Sequence, residues 1–351
     1  MLLPVFLLSA VFSFLGTVLV SRKLIPMLMS KKMNQPILEI GPRWHKNKSQ
    51  TPTMGGLAFI LSVTAVSLVI GTVLCILGGR ETFTELLPYL FTLAYAVLSG
   101  LIGVIDDRQK LLHRSNEGGL TAPQKYALQL LTAVLYLLAL RLTGFITTEL
   151  YFPFFDKTVD LGIFYYVIAL LLLTGVVNAV NLTDGIDGLA STLTAVVCAF
   201  FALTAFWIAS LPLGFAAGCT LGGAVGFLVY NFYPARVFMG DTGSLFFGAM
   251  LAGMAFLSGN PLIVLLAGIV FIAETASVII QTLFYKFTRI VLKKPKRFFA
   301  MTPLHHHFEH LAQPDRPAVL KGHEWSEIKI VSVFSATDLV FCVIAFLSYL
   351  V

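Results

Sequence analysis

The sequence predicts an all-α, polytopic integral membrane protein. It has about ten transmembrane helices in one domain spanning 1–351 and a functional site on its cytoplasmic face. Three observations carry this. Hydrophobic residues make up 57% of the chain and charged residues only 12%, against about 25% charged in ordinary soluble domains. Mean hydropathy is +0.86. The apolar residues also gather into runs close to the ~20 residues that a bilayer-crossing helix needs, which makes the lipid bilayer the first expected partner. The net charge of +6 then records membrane topology, and no nucleic-acid partner is expected.

Taken in order, residues 2–20 form a first span followed by Arg22 and Lys23. Charge after the span, with no small-residue cleavage site, indicates a retained helix and not a removed signal peptide. Further spans are predicted at 54–78, 87–105, 124–142, 161–179, 188–209, 213–231, 243–258, 261–286 and 328–350. Cys75, Cys198, Cys219 and Cys342 sit singly inside apolar runs, without the paired spacing of a zinc site or redox dithiol, and read as packing residues. With the N-terminus outside, twenty-one of the 24 Lys and Arg fall on one side, leaving Arg80, Arg141 and Lys157 on the other. The positive-inside rule makes the rich face cytoplasmic.

The polar motifs fall on that same face. Thr51-Pro-Thr-Met-Gly-Gly56 opens the second span and Asp106-Asp107 closes the third. Asn181-Leu-Thr-Asp-Gly-Ile-Asp-Gly188 links the fifth and sixth, and Phe238-Met-Gly-Asp-Thr-Gly-Ser244 links the seventh and eighth. Met301-Thr-Pro-Leu-His-His-His-Phe-Glu309 lies in the last loop. A charge left in hydrocarbon costs about 2.5–3.5 kcal/mol on insertion scales, so carboxylates placed at span ends mark a polar site. Asp106 and Asp107 are adjacent, and on a helix end they point about a hundred degrees apart, toward different partners. Carboxylates at a helix C-terminus oppose the macrodipole, which argues against a purely structural pair. Asn-Leu-Thr-Asp-Gly also reads as a capping loop.

In this order on a ten-span frame, the motifs resemble the polyprenyl-phosphate N-acetylhexosamine-1-phosphate transferases. Thr51 to Gly56 and the His triplet resemble the branch that takes UDP-MurNAc-pentapeptide. Two departures stand out: Gln50 replaces the Gly that usually precedes Thr-Pro-Thr, and Val333 and Ser335 replace an Arg and a Trp after Trp325-Ser-Glu327.

The resemblance implies a bacterial plasma-membrane enzyme of peptidoglycan synthesis. It would move phospho-MurNAc-pentapeptide from UDP-MurNAc-pentapeptide to undecaprenyl phosphate, giving lipid I and UMP with Mg²⁺ as cofactor. Assembly as a homodimer is compatible with it. A diphosphate donor and a phosphate acceptor repel each other, which a divalent cation on hard oxygen ligands relieves. By the resemblance, Asp241 holds the metal with the side-chain oxygen of Asn181 beside it. Asp106, Asp107, Asp184, Asp241, His305, His306 and His307 carry catalysis. Lys48, Thr53, Lys110, Lys125, Asn178, Asp187, Asn231 and Phe238 contact the substrates, Phe238 by stacking on uracil.

Other readings stay open at this stage. Three consecutive His invite zinc, but neighbouring residues radiate from a helix and no Cys lies nearby. Glu274 and Asp338, inside the ninth and tenth spans, are the ion relays of a secondary transporter if the chain is one. Transporter sites sit near the midplane, and the sequence shows no internal repeat. A sister transferase using UDP-GlcNAc would share the carboxylate core and differ at Thr51 to Gly56 and the His triplet.

Overall fold

The computed structural model describes residues 1–31, 33, 50–113, 118–152, 155, 157–309 and 318–350. In chain order the elements are α1 (Leu2–Ser30), α2 (Gly56–His113), α3 (Ala122–Leu142), β1 (Glu149–Phe152), β2 (Lys157–Asp160), α4 (Ile163–Thr183) and α5 (Leu189–Trp207). They continue with α6 (Leu211–Asn231), α7 (Gly240–Leu257), α8 (Ile263–Ala267), α9 (Ile269–Ile290), α10 (Leu304–Glu309) and α11 (Glu327–Leu347). Among the described residues nine helices are long and apolar enough to cross a bilayer, the signature of a multi-pass membrane protein.

The expected ten crossings survive because α2 is two of them. Its 58 residues are interrupted at Gly79, whose φ of 66° is open to glycine and strained for other residues. Ser67 and Tyr89 hydrogen-bond to each other across this break, although a straight helix would hold them about 33 Å apart. The arms 56–78 and 80–113 are therefore an antiparallel hairpin.

Two departures from the sequence reading have physical causes. The predicted span 261–286 is broken into α8 and α9 at Gly268. There Asp338 of α11 accepts the Val270 N–H at 3.2 Å, so its carboxylate satisfies a helix-start amide. The α3–α4 connection carries an antiparallel hairpin pairing Glu149 with Asp160 and Phe152 with Lys157. With four residues each, these strands are too short to show against helical hydropathy.

Close helix packing is made by small residues, as is usual where lipid competes with side chains for contact. Gly218, Gly222 and Gly226 on one stripe of α6 meet the backbone carbonyls of Phe6, Ala10 and Phe14 on α1. Phe59 of α2 stacks on Phe247 of α7 with ring centroids 4.0 Å apart, at the centre of the bundle. The four cysteines are free, three of them buried.

Both chain ends lie at one end of the bundle. Leu2 packs against Gly214 near the α5–α6 turn, and Trp207 Nε1 donates to the Tyr349 carbonyl at 3.1 Å. Glu85, Phe145, Ser210 and Gly259 line one cavity of about 300 Å³, so the hairpin tip and the α3–β1, α5–α6 and α7–α8 turns share that end. The five motifs are left to the opposite end.

Candidate active site

Four helix ends meet at that opposite end: the second arm of α2 and the last turn of α4 arrive, and α3 and α7 depart. Gly103 sets how near two of them come. A Cβ there would lie 2.2 Å from the Asp241 carbonyl oxygen, so only glycine permits this approach of α2 to α7. One turn later Asp107 accepts the Asp241 N–H (3.1 Å), the Thr242 N–H (2.9 Å) and the Thr242 hydroxyl (2.7 Å). These are otherwise orphaned donors at the start of α7, and the carboxylate also complements that helix's positive end.

Asp241 is thereby fixed with its side chain toward α3 and α4. Its Oδ1 accepts from Asn181 Nδ2 at 2.8 Å, and its Oδ2 receives Lys110 Nζ at 2.8 Å and Lys125 Nζ at 2.6 Å. Asn181 Nδ2 also lies 2.8 Å from Ser244 Oγ, while its Oδ1 faces Lys125 at 3.4 Å. Asp106, buried, accepts the Leu120 N–H on Oδ1 at 2.8 Å. Its Oδ2 lies 2.7 Å from Lys110 Nζ and 3.7 Å from Lys125 Nζ. The two adjacent carboxylates thus serve different partners, as their helical offset predicts. Asp184, half-buried at the end of α4, has its carboxyl pushed well above the usual carboxylate range by burial and by the charges of Asp241, Asp107 and Asp187.

Asp106, Asp107 and Asp241 each offer an oxygen within 4.8 Å of the others. Hard oxygen donors of this kind suit Mg²⁺ or a similar divalent cation. Asp107 is committed to α7, so Asp106 and Asp241 are the carboxylates best placed for one. The Asp106 Oδ2 atom is buried and faces the Lys110 and Lys125 ammoniums.

The other expected site residues are distributed around this cluster. Asn178 exchanges amide contacts with Gln129 of α3 (2.7 and 3.4 Å), tying α3 to α4. Asp187 donates its N–H to Glu327 and accepts that of Ala235 at 2.9 Å, joining the α4–α5 loop to α11 and the loop before α7. Asn231 bonds Ser191 and the Val237 carbonyl. Thr53 is buried, with its hydroxyl against Gly240. Phe238 is half-buried, its backbone bonded to Pro52 and Gly55, so the first and fourth motifs form one wall. Lys48 lies outside the described residues.

The His triplet sits on α10, and its rings diverge. His305 lies buried beside the buried Glu274 of α9, with Nδ1 3.2 Å from Oε1, and its Nε2 faces Gly185 without a partner. His306 pairs with Glu309 at 2.9 Å. His307 Nδ1 accepts the Ala300 N–H at 3.2 Å among Phe299, Phe308 and His323. Among the described residues these rings do not gather into a metal-ligating group; His310, which the zinc reading also involves, lies outside the described residues. Glu274 is a partner of His305, which accounts for its place in an apolar span. Glu274 and Gln129 were missed as site residues: a lone carboxylate in an apolar run demands a partner, but nothing local names it.

A multi-pass helical bundle with convergent carboxylates, amides and lysines at one end defines a membrane protein whose polar site suits anionic groups and a cation. Residues 89–259 match the family Glycosyl transferase family 4. The phospho-N-acetylmuramoyl-pentapeptide-transferase of Clostridium botulinum (strain Alaska E43 / Type E3) is 39% identical over 98% of this chain and 97% of its own. That of Halalkalibacterium halodurans is 39% identical over 98% of each chain, and that of Clostridium novyi 39% identical over 97% and 95%. The chain belongs to the phospho-N-acetylmuramoyl-pentapeptide transferase family.

Proposed function

We propose that the protein transfers phospho-MurNAc-pentapeptide from UDP-MurNAc-pentapeptide to undecaprenyl phosphate, giving lipid I and UMP, at the cytoplasmic face of a bacterial plasma membrane. The observation that carries this is the Asp106–Lys110–Asp241–Lys125 cluster. Such a cluster handles phosphates, because fixed carboxylates hold cations and lysines on long stems reach anionic oxygens. An acceptor phosphate oxygen forms a bond to the donor's β-phosphorus, the bond from that phosphorus to the bridging oxygen breaks, and UMP leaves with the electron pair. Asp106 takes or orients the acceptor's proton, and Lys110 and Lys125 stabilise charge on the diphosphate. Asp106, Asp241 and Asn181 would hold Mg²⁺, which supplies charge neutralisation on the phosphates. Asp107, Asn178, Asp187 and Asn231 hold the helix ends in register.

Purified protein in detergent, given undecaprenyl phosphate and Mg²⁺ with either UDP-MurNAc-pentapeptide or UDP-GlcNAc, tests the reading. Labelled sugar should pass to lipid, with release of UMP, from the first donor only. Transfer from UDP-GlcNAc alone would assign the chain to the sister activity.

A further inference from the structure

The three carboxylates at the centre of the site have six oxygens, and four are already used by amide or hydroxyl donors. Asp107 gives both to the start of α7, Asp106 gives Oδ1 to the Leu120 N–H, and Asp241 gives Oδ1 to Asn181. Only Asp106 Oδ2 and Asp241 Oδ2 remain, and on these the lysines sit. Lys110 Nζ bridges them at 2.7 and 2.8 Å, and Lys125 Nζ meets Asp241 Oδ2 at 2.6 Å. A divalent ion placed between Asp106 and Asp241 would therefore share its oxygens with two ammoniums, and like charges at such range repel strongly in a partly buried site.

The lysines are the movable partners. They come from separate helices, α2 and α3, and carry their charge on flexible four-carbon stems. The carboxylates are pinned by backbone and amide bonds. An ammonium leaving this cluster needs another anion, and a nucleoside diphosphate entering beside it supplies one.

We propose that Lys110 and Lys125 are internal counter-cations that compete with the divalent ion for Asp106 and Asp241, and that the donor's diphosphate draws them away, so that metal and nucleotide bind with positive coupling. This rests on the metal reading above. Such coupling is reciprocal: whatever factor the nucleotide adds to metal affinity, the metal adds to nucleotide affinity.

The test uses the full chain in detergent, Mn²⁺ as paramagnetic probe and UDP as the diphosphate, with free Mn²⁺ followed by electron paramagnetic resonance and corrected for the Mn²⁺–UDP complex. In the unmodified protein UDP should tighten Mn²⁺ binding by roughly ten-fold or more, within the range usual for coupled sites. Lys110→Met should bind Mn²⁺ more tightly than the unmodified protein without UDP and show a smaller UDP effect. Lys110→Arg, which keeps the charge, should bind no more tightly than the unmodified protein. If Lys110→Met does not fold, Lys125→Met and Lys110→Arg carry the same comparison. Mn²⁺ affinity without UDP that is unchanged or weaker in the Met variants, or indifferent to UDP in the unmodified protein, overturns the competition and leaves the metal reading intact. Absence of Mn²⁺ binding with and without UDP removes both.

Discussion

Asp107 caps the helix that carries Asp241: its carboxylate accepts the Asp241 N–H at 3.1 Å and both donors of Thr242. One member of the acidic pair thus positions a carboxylate that its neighbour Asp106 faces, and the two oxygens of Asp107 have little left for a substrate. Asp107→Asn retains one acceptor oxygen and strands at least one donor. Losing a helix cap costs about 0.5–2 kcal/mol, so this variant should melt at lower temperature and also lose turnover. Thermal unfolding in detergent and UMP release, measured together, check it. A variant that melts like the unmodified protein but is inactive would instead put Asp107 on the substrate.

Gly103 gives a second test of positioning. Gly103→Ala places a methyl 2.2 Å from the Asp241 carbonyl, forcing α2 away from α7. Displacements near 1 Å in a catalytic constellation cost about 10²-fold in rate, and a fall of that order is expected in kcat. Gly175→Ala is the control, because a Cβ there meets nothing within 4 Å; it should retain activity and melt at the same or a higher temperature. Equal kcat for the two variants would show that the α2–α7 approach does not set the site.

The extent of this that is legible in sequence follows from range. Hydropathy is local, so the spans stand out, and Lys110 lies one helical turn from Asp106, where an ion pair is expected. Convergence of the motifs follows from span parity alone. The cap from Asp107 to Thr242 joins residues 135 apart in the chain, and no local pattern marks it. The break at Gly268 is hidden for the same reason: its hydropathy is continuous and the group that satisfies it, Asp338, lies in another helix. Glu274 is conspicuous in sequence as a buried charge, but its partner His305 emerges only when α10 folds back.

Topology is a third prediction. Cysteines introduced at the exposed Arg236 and Lys157, in a background lacking the native four, should label from opposite sides of the membrane, Arg236 from the cytoplasm. Labelling of both from one side would break the ten-crossing frame.

The loop carrying the His triplet should respond to acid. His307 Nδ1 accepts the Ala300 N–H, which requires an unprotonated nitrogen. Burial and the neighbouring His323 hold its pKa below the ordinary imidazole value. The stabilisation this bond gives is therefore complete above about pH 6.5 and is lost as pH falls through the lowered value. Hydrogen exchange at Ala300, corrected for the intrinsic rate, should accelerate between pH 7.5 and 5, together with exchange at 323–325, whose N–H groups of His323 and Trp325 bond the α10 carbonyls. His307→Phe should remove this pH dependence. Undiminished protection at pH 5 in the unmodified protein would rule out the neutral-ring bond.

Asp106 distinguishes two mechanisms. It attacks the donor's β-phosphate to make a covalent phosphoryl-enzyme, or it takes a proton from the acceptor phosphate for direct attack. A phosphate monoester has its second pKa near ~6, so a base has limited use in solution. Beside a membrane surface and a cluster of carboxylates that pKa rises, which restores the use of one. Oδ1 of Asp106 is fixed by the Leu120 N–H, and Oδ2, once the lysines have moved to the diphosphate, keeps one lone pair for the acceptor's proton beside the one that would face the divalent ion. Direct transfer predicts that Asp106→Asn, whose amide oxygen keeps the Leu120 bond, retains slow turnover that recovers in part as pH rises and the acceptor ionises unaided. It also predicts no exchange of labelled UMP into the UDP-linked donor in lipid-free protein without acceptor. A covalent intermediate requires that exchange and its complete loss in Asp106→Asn, and observing both would overturn the direct route.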